Sequence, residues 1–415
     1  MRSVAEHLAI VLATGAPLPP VRRALGEAWG LVAAEPLSSR VDLPGFDNSA
    51  MDGYAVRAVD VAGASADAPV ELDVVDDLAA GDHPRLALPP GRAIRIMTGA
   101  PVPDGADTIV KVEDTDGGAT RVRIRAGAPA GLHVRRRGED LPAGRPILAA
   151  GQRLDARVIG LVAAAGHGDV LVHPRPRVAV LSTGAELVEP GKPLQHGQIH
   201  DSNSLMLAAA VTAAGAHAAY RGSVGDDPDQ VREMLDRLAG EVDVIVTSGG
   251  VSMGVHDVVK AVLRDSGTVE LAQVAMQPGK PQGFGVLGPR SVPFFGLPGN
   301  PVSSYVSFEV FVRPLLRRLM GVQPAVPPRV EVELGSAMSS PAGRVQFARA
   351  RVTRVGDRWV AEPVRGQGSH FVADLAASDA LLEIPAEVTA LAVGDRVSAL
   401  LLGEVPAAPD QGEPR

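Results

Sequence analysis

The sequence predicts a multidomain chain in which an α/β domain with a parallel sheet is accompanied by β domains. At 415 residues it is longer than a single hydrophobic core supports, and about two to four domains are expected. From residue 174 apolar strands alternate with helical stretches: RVAVLSTG, SNSLMLAAAVTAAG, AAYRGSVG, PDQVREMLDRLAG and VDVIVTSGG. Strands apolar throughout and alternating with helices form a parallel sheet covered on both faces, joined by right-handed crossovers. Elsewhere, short alternating runs separated by Gly, Pro and Asp mark β structure.

In chain order, residues 21–36 place Val21, Leu25, Ala28, Trp29 and Val32 on one helical face, and Pro36 ends that packed helix. Residues 40–139 carry the runs AIRIMTG, DTIVKVED and TRVRIRA, which predict a small β domain. RPILAAGQRLDARVIGLVAAAG then returns to helical spacing, so the pattern suggests two helices packing together with the β segment looping out between them. The α/β domain closes with FFGLPGNPVSSYVSFEVFVRPLLRRLMG, where Asn300 suits a helix cap and Pro301 the first helical position. QPAVPP at 323–328 reads as a linker. The runs VEVEL, QFARARVTRV, RWVAEPV, ALLEIP and DRVSALLL within 329–402 suit a compact β-barrel or sandwich. The tail after them is too polar and Pro-rich to order itself.

Composition removes several function classes. A 46% hydrophobic, 21% charged chain has the profile of an ordinary globular protein. Its net charge of -8 gives no electrostatic footprint for nucleic acid. With no cysteine there is no disulfide, thiolate metal site, iron-sulfur cluster or cysteine nucleophile. Glu6 and His7 interrupt the first apolar stretch, which lacks a signal-peptide core, and no later run is long enough to span a membrane. A cytoplasmic location without a membrane partner is the expectation.

Three Gly-rich loops follow predicted strands: Ser182-Thr183-Gly184, Ser248-Gly249-Gly250, and Gly296 to Asn300 through Pro298 and Gly299. In a doubly wound sheet such loops meet at the carboxyl edge, where glycine permits close backbone approach and helix N-termini offer N–H groups to a phosphate-bearing ligand. Each alone could be a turn satisfying backbone geometry. None is a Walker loop. Gly250-Val251-Ser252-Met253-Gly254 matches a nucleophile elbow, but Gly249 and Gly250 already end the strand and His256-Asp257 follow before any helix. Acidic residues lie beside the glycines: Glu186, Asp226, Asp227 and Asp257. Converging carboxylates could hold Mg²⁺, although Asp226 and Asp227 before Pro228 could equally be helix caps. His196 and His200 flank a glycine loop that argues against zinc. Lys280, between Pro278-Gly279 and Pro281, presents an ammonium on a stiff turn, either for an oxyanion or simply solvated. Arg135-Arg136-Arg137-Gly138-Glu139-Asp140 is more simply a salt-bridge cluster than a ligand site. Polar density in Phe46 to Ala55, and Thr98-Gly99-Ala100-Pro101 after AIRIM, read as binding loops.

Taken together these stretches resemble the molybdopterin molybdenumtransferases, the MoeA family, which includes the cofactor-inserting domain of gephyrin. The resemblance rests on PGFDNSAMDGYAVR at 44–57, IRIMTGAPVPDGAD at 94–107, RRRGED at 135–140, STGAEL at 182–187, SGGVSMGVHD at 248–257 and GLPGNPVSS at 296–304. It implies a helical part from residues 1–39 and 140–173, an inserted β domain at 40–139, a molybdopterin-binding α/β domain at 174–322, a C-terminal β-barrel at 329–403 and a disordered tail at 404–415. It further implies a homodimer whose site lies between the α/β domain of one subunit and the inserted domain of the other. The implied activity is Mg²⁺-dependent insertion of molybdenum from molybdate into adenylylated molybdopterin with release of AMP; a molybdopterin adenylyltransferase is a possible partner. By position, Asp52, Thr98, Glu186, Asp257 and Lys280 take the catalytic roles. Glu186, Asp226 and Asp257 form the metal set, and the glycine loops with Ser252 hold the pterin nucleotide.

One departure stands out. Two lysines that commonly precede the PGKP turn in the family correspond here to Gln273 and Gln277, which weakens attraction for a dianion. An inactive or altered-specificity paralogue acting as a scaffold is therefore one alternative. An adenylyltransferase or pyrophosphatase on a related nucleotide is another.

Overall fold

The computed structural model describes residues 1–225, 227–250, 262, 268–364 and 366–403, so the expected tail at 404–415 lies outside the described residues. The chain divides into two compact units, one of residues 1–21, 30–34 and 171 onward, the other of 22–29 and 35–170. Among the described residues no helix is long and apolar enough to cross a membrane.

The helix expected across 21–36 is not there. Those residues form the strand Val21–Ala24, the short 3-10 turn Leu25–Glu27 and the strand Val32–Ala33, and Trp29 is 63% exposed. Gly30 takes a φ of +76°, which a helix cannot contain, while Val32 and Ala33 pair with His173 and Val172. Pairing with a strand distant in sequence outweighs helical spacing, which is only a weak prior. The first helix is instead Val4–Ala13, opened by a capping box in which Glu6 N–H donates to Ser3 Oγ and Ser3 N–H to Glu6. Helical spacing after 145 holds only from Ala156 to Ala164, where Asp155 caps the first turn. Pro146–Leu148 is a strand paired with Leu37–Ser38, so the expected packing of two flanking helices is replaced by strand pairing.

In the second unit, a five-stranded sheet runs in the order Thr108–Lys111, Gly53–Val56, Arg92–Ile96, Val70–Leu78, Arg121–Ile124. Tyr54 and Ile124 are fully buried in one of its cores, and Ile94 and Ile109 in another. The stretch read as a binding loop is partly strand, because alternate residues after Gly53 have a core to face.

The first unit holds a six-stranded sheet ordered His217–Val224, Arg177–Thr183, Val244–Ser248, Val292–Leu297, Pro281–Leu287, Val269–Gln273. The first four strands are parallel, as expected, and the last two extend them antiparallel. Side chains alternate between two cores: Val178, Val180, Val246 and Phe295 face one, and Ala179, Leu181, Ile245 and Phe294 the other. Helix Pro228–Glu241 covers the second core with Val231, Leu235 and Leu238; the first core includes Leu207 and Val211 of Asn203–Ala213 and Val302 and Val306 of Pro301–Ser307. The chain leaves Arg177–Thr183 first to one side and then to the other. The topological switch point, where open α/β sheets bind ligands, therefore lies between that strand and Val244–Ser248.

The alternatives for the C-terminal region resolve to a closed five-stranded barrel of Val330–Leu334, Val345–Val355, Arg358–Pro363, Ala380–Ile384 and Arg396–Leu401. Closure comes from Gln346 to Ala350 pairing with Ile384 to Ala380. Met276 and Gln277 add a short parallel pair to Val345 and Gln346, tying the segment before Lys280 to the barrel. The expected linker is held by Arg317, which donates to Ala325 O and Pro324 O.

Candidate active site at the carboxyl edge of the α/β sheet

Strand register brings the three glycine loops together. Ser182 lies opposite Ser248, and Ser248 opposite Leu297, so all three loops leave the same sheet edge. Gly249 has φ +90°, and a Cβ there would sit 2.8 Å from Thr183 O; a Cβ on Gly299 would sit 3.6 Å from Gly249 Cα. Glycine is needed at 249 because both the dihedral and the approach of Thr183 exclude a side chain. Gly250 also has positive φ, at +72°.

The hydroxyls of this edge are turned into the protein. Ser182 Oγ donates to buried Asp201 at 2.8 Å, and Asp201 also accepts from Ser204 N–H. Asn203 Nδ2 donates to Ser248 Oγ and to Gly299 O, both at 2.7 Å. Ser248 and Ser304 hydroxyls lie 3.0 Å apart, and Ser304 Oγ donates to Pro298 O. Asn203 thus ties the ends of two adjacent strands, while Ser182 and Ser248, expected as ligand-binding side chains, serve as anchors. Contact with a ligand here falls to the backbone and to Thr183 and Gly184. Glu186 folds over Gly184, its carboxylate 2.5 Å from where a Cβ would be.

Beside this edge is a cavity of about 500 Å³, lined among others by Lys280, Asn300, Ser303, Arg344, Gln367 and Ser369. The α/β domain supplies the first three and the barrel the last three. Asn300 occupies the helix-cap position, but its side chain donates to Ser369 Oγ at 2.9 Å instead of capping, and Val302 N–H donates to Ser369 O. Arg344 donates to Gln277 Oε1 at 3.3 Å. Lys280 and Arg344 place two cations in one wall-to-wall cavity, and Pro298, Gly299 and Asn300 border both the cavity and the glycine edge.

The remaining expected residues fall as follows. Asp52 and Thr98 meet in the second unit: Thr98 N–H and Oγ both donate to Asp52 Oδ1, at 2.7 and 2.8 Å. Those bonds, the backbone one foremost, hold the Asp52 carboxyl below its usual range. Asp226, Ser252 and Asp257, with the elbow-like motif after Gly250, lie outside the described residues. Asp227 is a helix cap, accepting from Asp229 N–H. His200, in the short strand Ile199–His200, donates through Nε2 to Lys192 O, and no group of three metal-ligating side chains occurs among the described residues. Arg136 and Arg137 pair with Asp47 and Asp42 at 2.6 and 2.5 Å, the salt-bridge reading of that run.

Asn203, Arg344 and Ser369 were not singled out from sequence. An amide following a serine at a helix start was a usable signal for Asn203. Arg344 and Ser369 reach the cavity only through the barrel's docking, which no local pattern encodes.

Residues 2–166 match the MoeA N-terminal region (domain I and II), 179–318 the Probable molybdopterin binding domain, and 331–402 the MoeA C-terminal region (domain IV). The chain is 46% identical over 404 residues to molybdopterin molybdenumtransferase 2 of Mycobacterium tuberculosis, covering 96% of this chain and 98% of that one. It is 38% identical to molybdopterin molybdenumtransferase 1 of the same organism, covering 97% and 100%. The molybdopterin biosynthesis MoeA protein of Pyrococcus horikoshii superposes with a TM-score of 0.81 at 33% identity, over 97% of this chain and 99% of that one. The chain belongs to the MoeA family of molybdopterin molybdenumtransferases.

Proposed function

We propose that this chain completes the molybdenum cofactor, inserting molybdenum from molybdate into adenylylated molybdopterin and releasing AMP. The observation that carries the reading is the shared Pro298-Gly299-Asn300 loop, which joins a glycine-lined edge suited to a pyrophosphate to a cavity with two cations suited to a dianion. Family membership over the whole chain supports the same reaction.

The chemistry balances without redox change. Water opens the phosphoanhydride, its oxygen going to phosphorus, and AMP leaves. The dithiolene gives two protons to one molybdate oxygen, which departs as water while two Mo–S bonds form. Lys280 and Arg344 hold and neutralise the oxyanion, Gly249 and Gly299 let the pyrophosphate approach the backbone, and Glu186 adds a hard carboxylate donor at that edge. Glu186 fits a Mg²⁺ ligand by donor type and position, with Asp226 and Asp257 completing the acidic set. Bound Mg²⁺ would supply charge neutralisation of the pyrophosphate.

The family resemblance further supports a cytoplasmic homodimer in which Asp52 and Thr98 face the α/β edge of a partner subunit, with a molybdopterin adenylyltransferase delivering the substrate. The two lost lysines do not leave the cavity without cations, because Arg344 stands against Gln277. That observation favours an active enzyme over a scaffold.

The test follows AMP release from purified protein given adenylylated molybdopterin and Mg²⁺, with molybdate varied. Molybdate-dependent release whose KM for molybdate rises at least about tenfold in Lys280→Ala and in Arg344→Gln supports the reading. Release indifferent to molybdate would point to the pyrophosphatase reading instead.

A further inference from the structure

Gln282 is the second residue of the strand Pro281–Leu287, and it is only 2% exposed. Its neighbours along that strand include buried Phe284, and the cross-strand Phe295 packs at 5.0 Å from Phe284. An apolar side chain would suit such a position, because a buried amide is costly unless its hydrogen bonds are made. Gln282 makes them in one direction. Its Nε2 donates to Gly279 O at 2.6 Å and to Ser307 Oγ at 2.7 Å. A carbonyl oxygen only accepts, so Gly279 O fixes which end of the amide points to the turn.

The turn itself has no slack. Gly279 sits at φ +96°, and a Cβ there would lie 2.8 Å from Ser307 Oγ and 3.4 Å from Gln282 Nε2. The next residue is Lys280, whose carbonyl accepts from Val274 N–H at 2.8 Å. The peptide groups on both sides of the Lys280 Cα are therefore pinned, one by Gln282 and one by Val274. An ammonium on a four-carbon stem is flexible, and the volume it samples is set by how firmly its Cα is held. On an unpinned loop the same charge would be spread over solvent; here it is held to the lining of the cavity that Arg344 also borders.

Resting on the oxyanion role of Lys280 set out above, we propose that Gln282 is a positioning residue for Lys280 and thereby sets the chain's affinity for the oxyanion substrate. It touches no substrate itself. Its effect passes through Gly279 O into the Lys280 peptide, with Ser307 as the second anchor that keeps the amide oriented.

The experiment is a double-substitution cycle in the full chain, reading KM for molybdate, kcat and affinity for adenylylated molybdopterin. Gln282→Met keeps the shape and removes both donors. Its KM for molybdate should rise about tenfold, with kcat and pterin affinity within about twofold of wild type. In a Lys280→Ala background the same change should add less than about twofold, since the group it positions is gone. An equal factor in both backgrounds, or lowered thermal stability with an unchanged KM, would overturn the positioning role while leaving the oxyanion reading intact. A Lys280→Ala variant with unchanged KM would overturn the oxyanion reading and this inference with it. Should Gln282→Met fail to fold, Ser307→Ala removes one anchor at less cost: a rise of about two- to threefold supports the proposal, and no rise refutes it.

Discussion

Replacing Arg349 by methionine tests how the barrel builds its side of the cavity. Arg349 is 1% exposed on the strand Val345–Val355, and its guanidinium donates to three backbone carbonyls: Phe371 O at 2.9 Å, Gly368 O at 3.1 Å and Gly366 O. These turn the segment 366–371 inward, and Gln367 adds a clasp by accepting from Arg349 N–H. On its outer side the segment offers Ser369 to Asn300 and Val302. Methionine fills much of the stem volume but donates nothing, so Gly366 O loses its guanidinium donor while Gly368 O and Phe371 O keep only the N–H groups of Phe371 and Leu375. Losing three hydrogen bonds from a charged donor, at about 1.5–3 kcal/mol each before relaxation, gives an expected local loss of about 3–5 kcal/mol. Hydrogen exchange of peptides spanning 366–376, followed by mass spectrometry, should accelerate by about two to three orders of magnitude, and the KM for molybdate should rise with it. Unchanged protection in that segment would refute the reasoning. So would a loss spread evenly over all five barrel strands, which would make Arg349 a general barrel residue.

Two further expectations come from other parts of the chain. Gly249→Ala should lose about 1–2 kcal/mol from backbone conformation alone and more from the 2.8 Å approach to Thr183 O, and should weaken adenylylated molybdopterin binding at least about tenfold; Gly117→Ala, at φ +71° with nothing within 4 Å, is the control that carries the conformational term only. Thermal unfolding and equilibrium binding read the two. His7 is buried against Phe311 at 4.7 Å, and burial foremost lowers its pKa from 6.5 to about 4. The unfolded chain then takes the proton first as pH falls, so a stabilisation of up to about 3 kcal/mol is complete above about pH 6.5 and lost on descending towards 4. Arg2 adds to the lowering and Glu270 opposes it. Denaturant unfolding between pH 4 and 7 should show this slope, and His7→Leu should flatten it.

Much of the α/β domain was legible in the sequence for a physical reason: strands such as Val244–Ser248 are buried on both faces, and the alternation of such runs with helices points to a covered parallel sheet. The barrel strands were legible through alternation, as in Val330–Leu334. The strands Val269–Gln273 and Pro281–Leu287 were missed because PQGFGVL carries two glycines and neither alternation nor a continuous apolar run. The false helix at 21–36 arose because helical spacing is a local property, and strand pairing between Val32 and His173 is not. In the site, glycine loops and Lys280 announce themselves by backbone need and stiff neighbours. Arg344, Ser369 and Gln282 do not, because each acts across a contact between segments far apart in the chain.

The measurement that bears most directly on the proposed reaction is the ratio of molybdenum bound in the pterin product to AMP released, taken with reactivation of a cofactor-free molybdoenzyme by that product. A ratio near one, with reactivation by the wild-type product and a collapse of both in Lys280→Ala, is the expected result. AMP released without molybdenum in the pterin, and without reactivation, would contradict the assignment of the cationic cavity to molybdate.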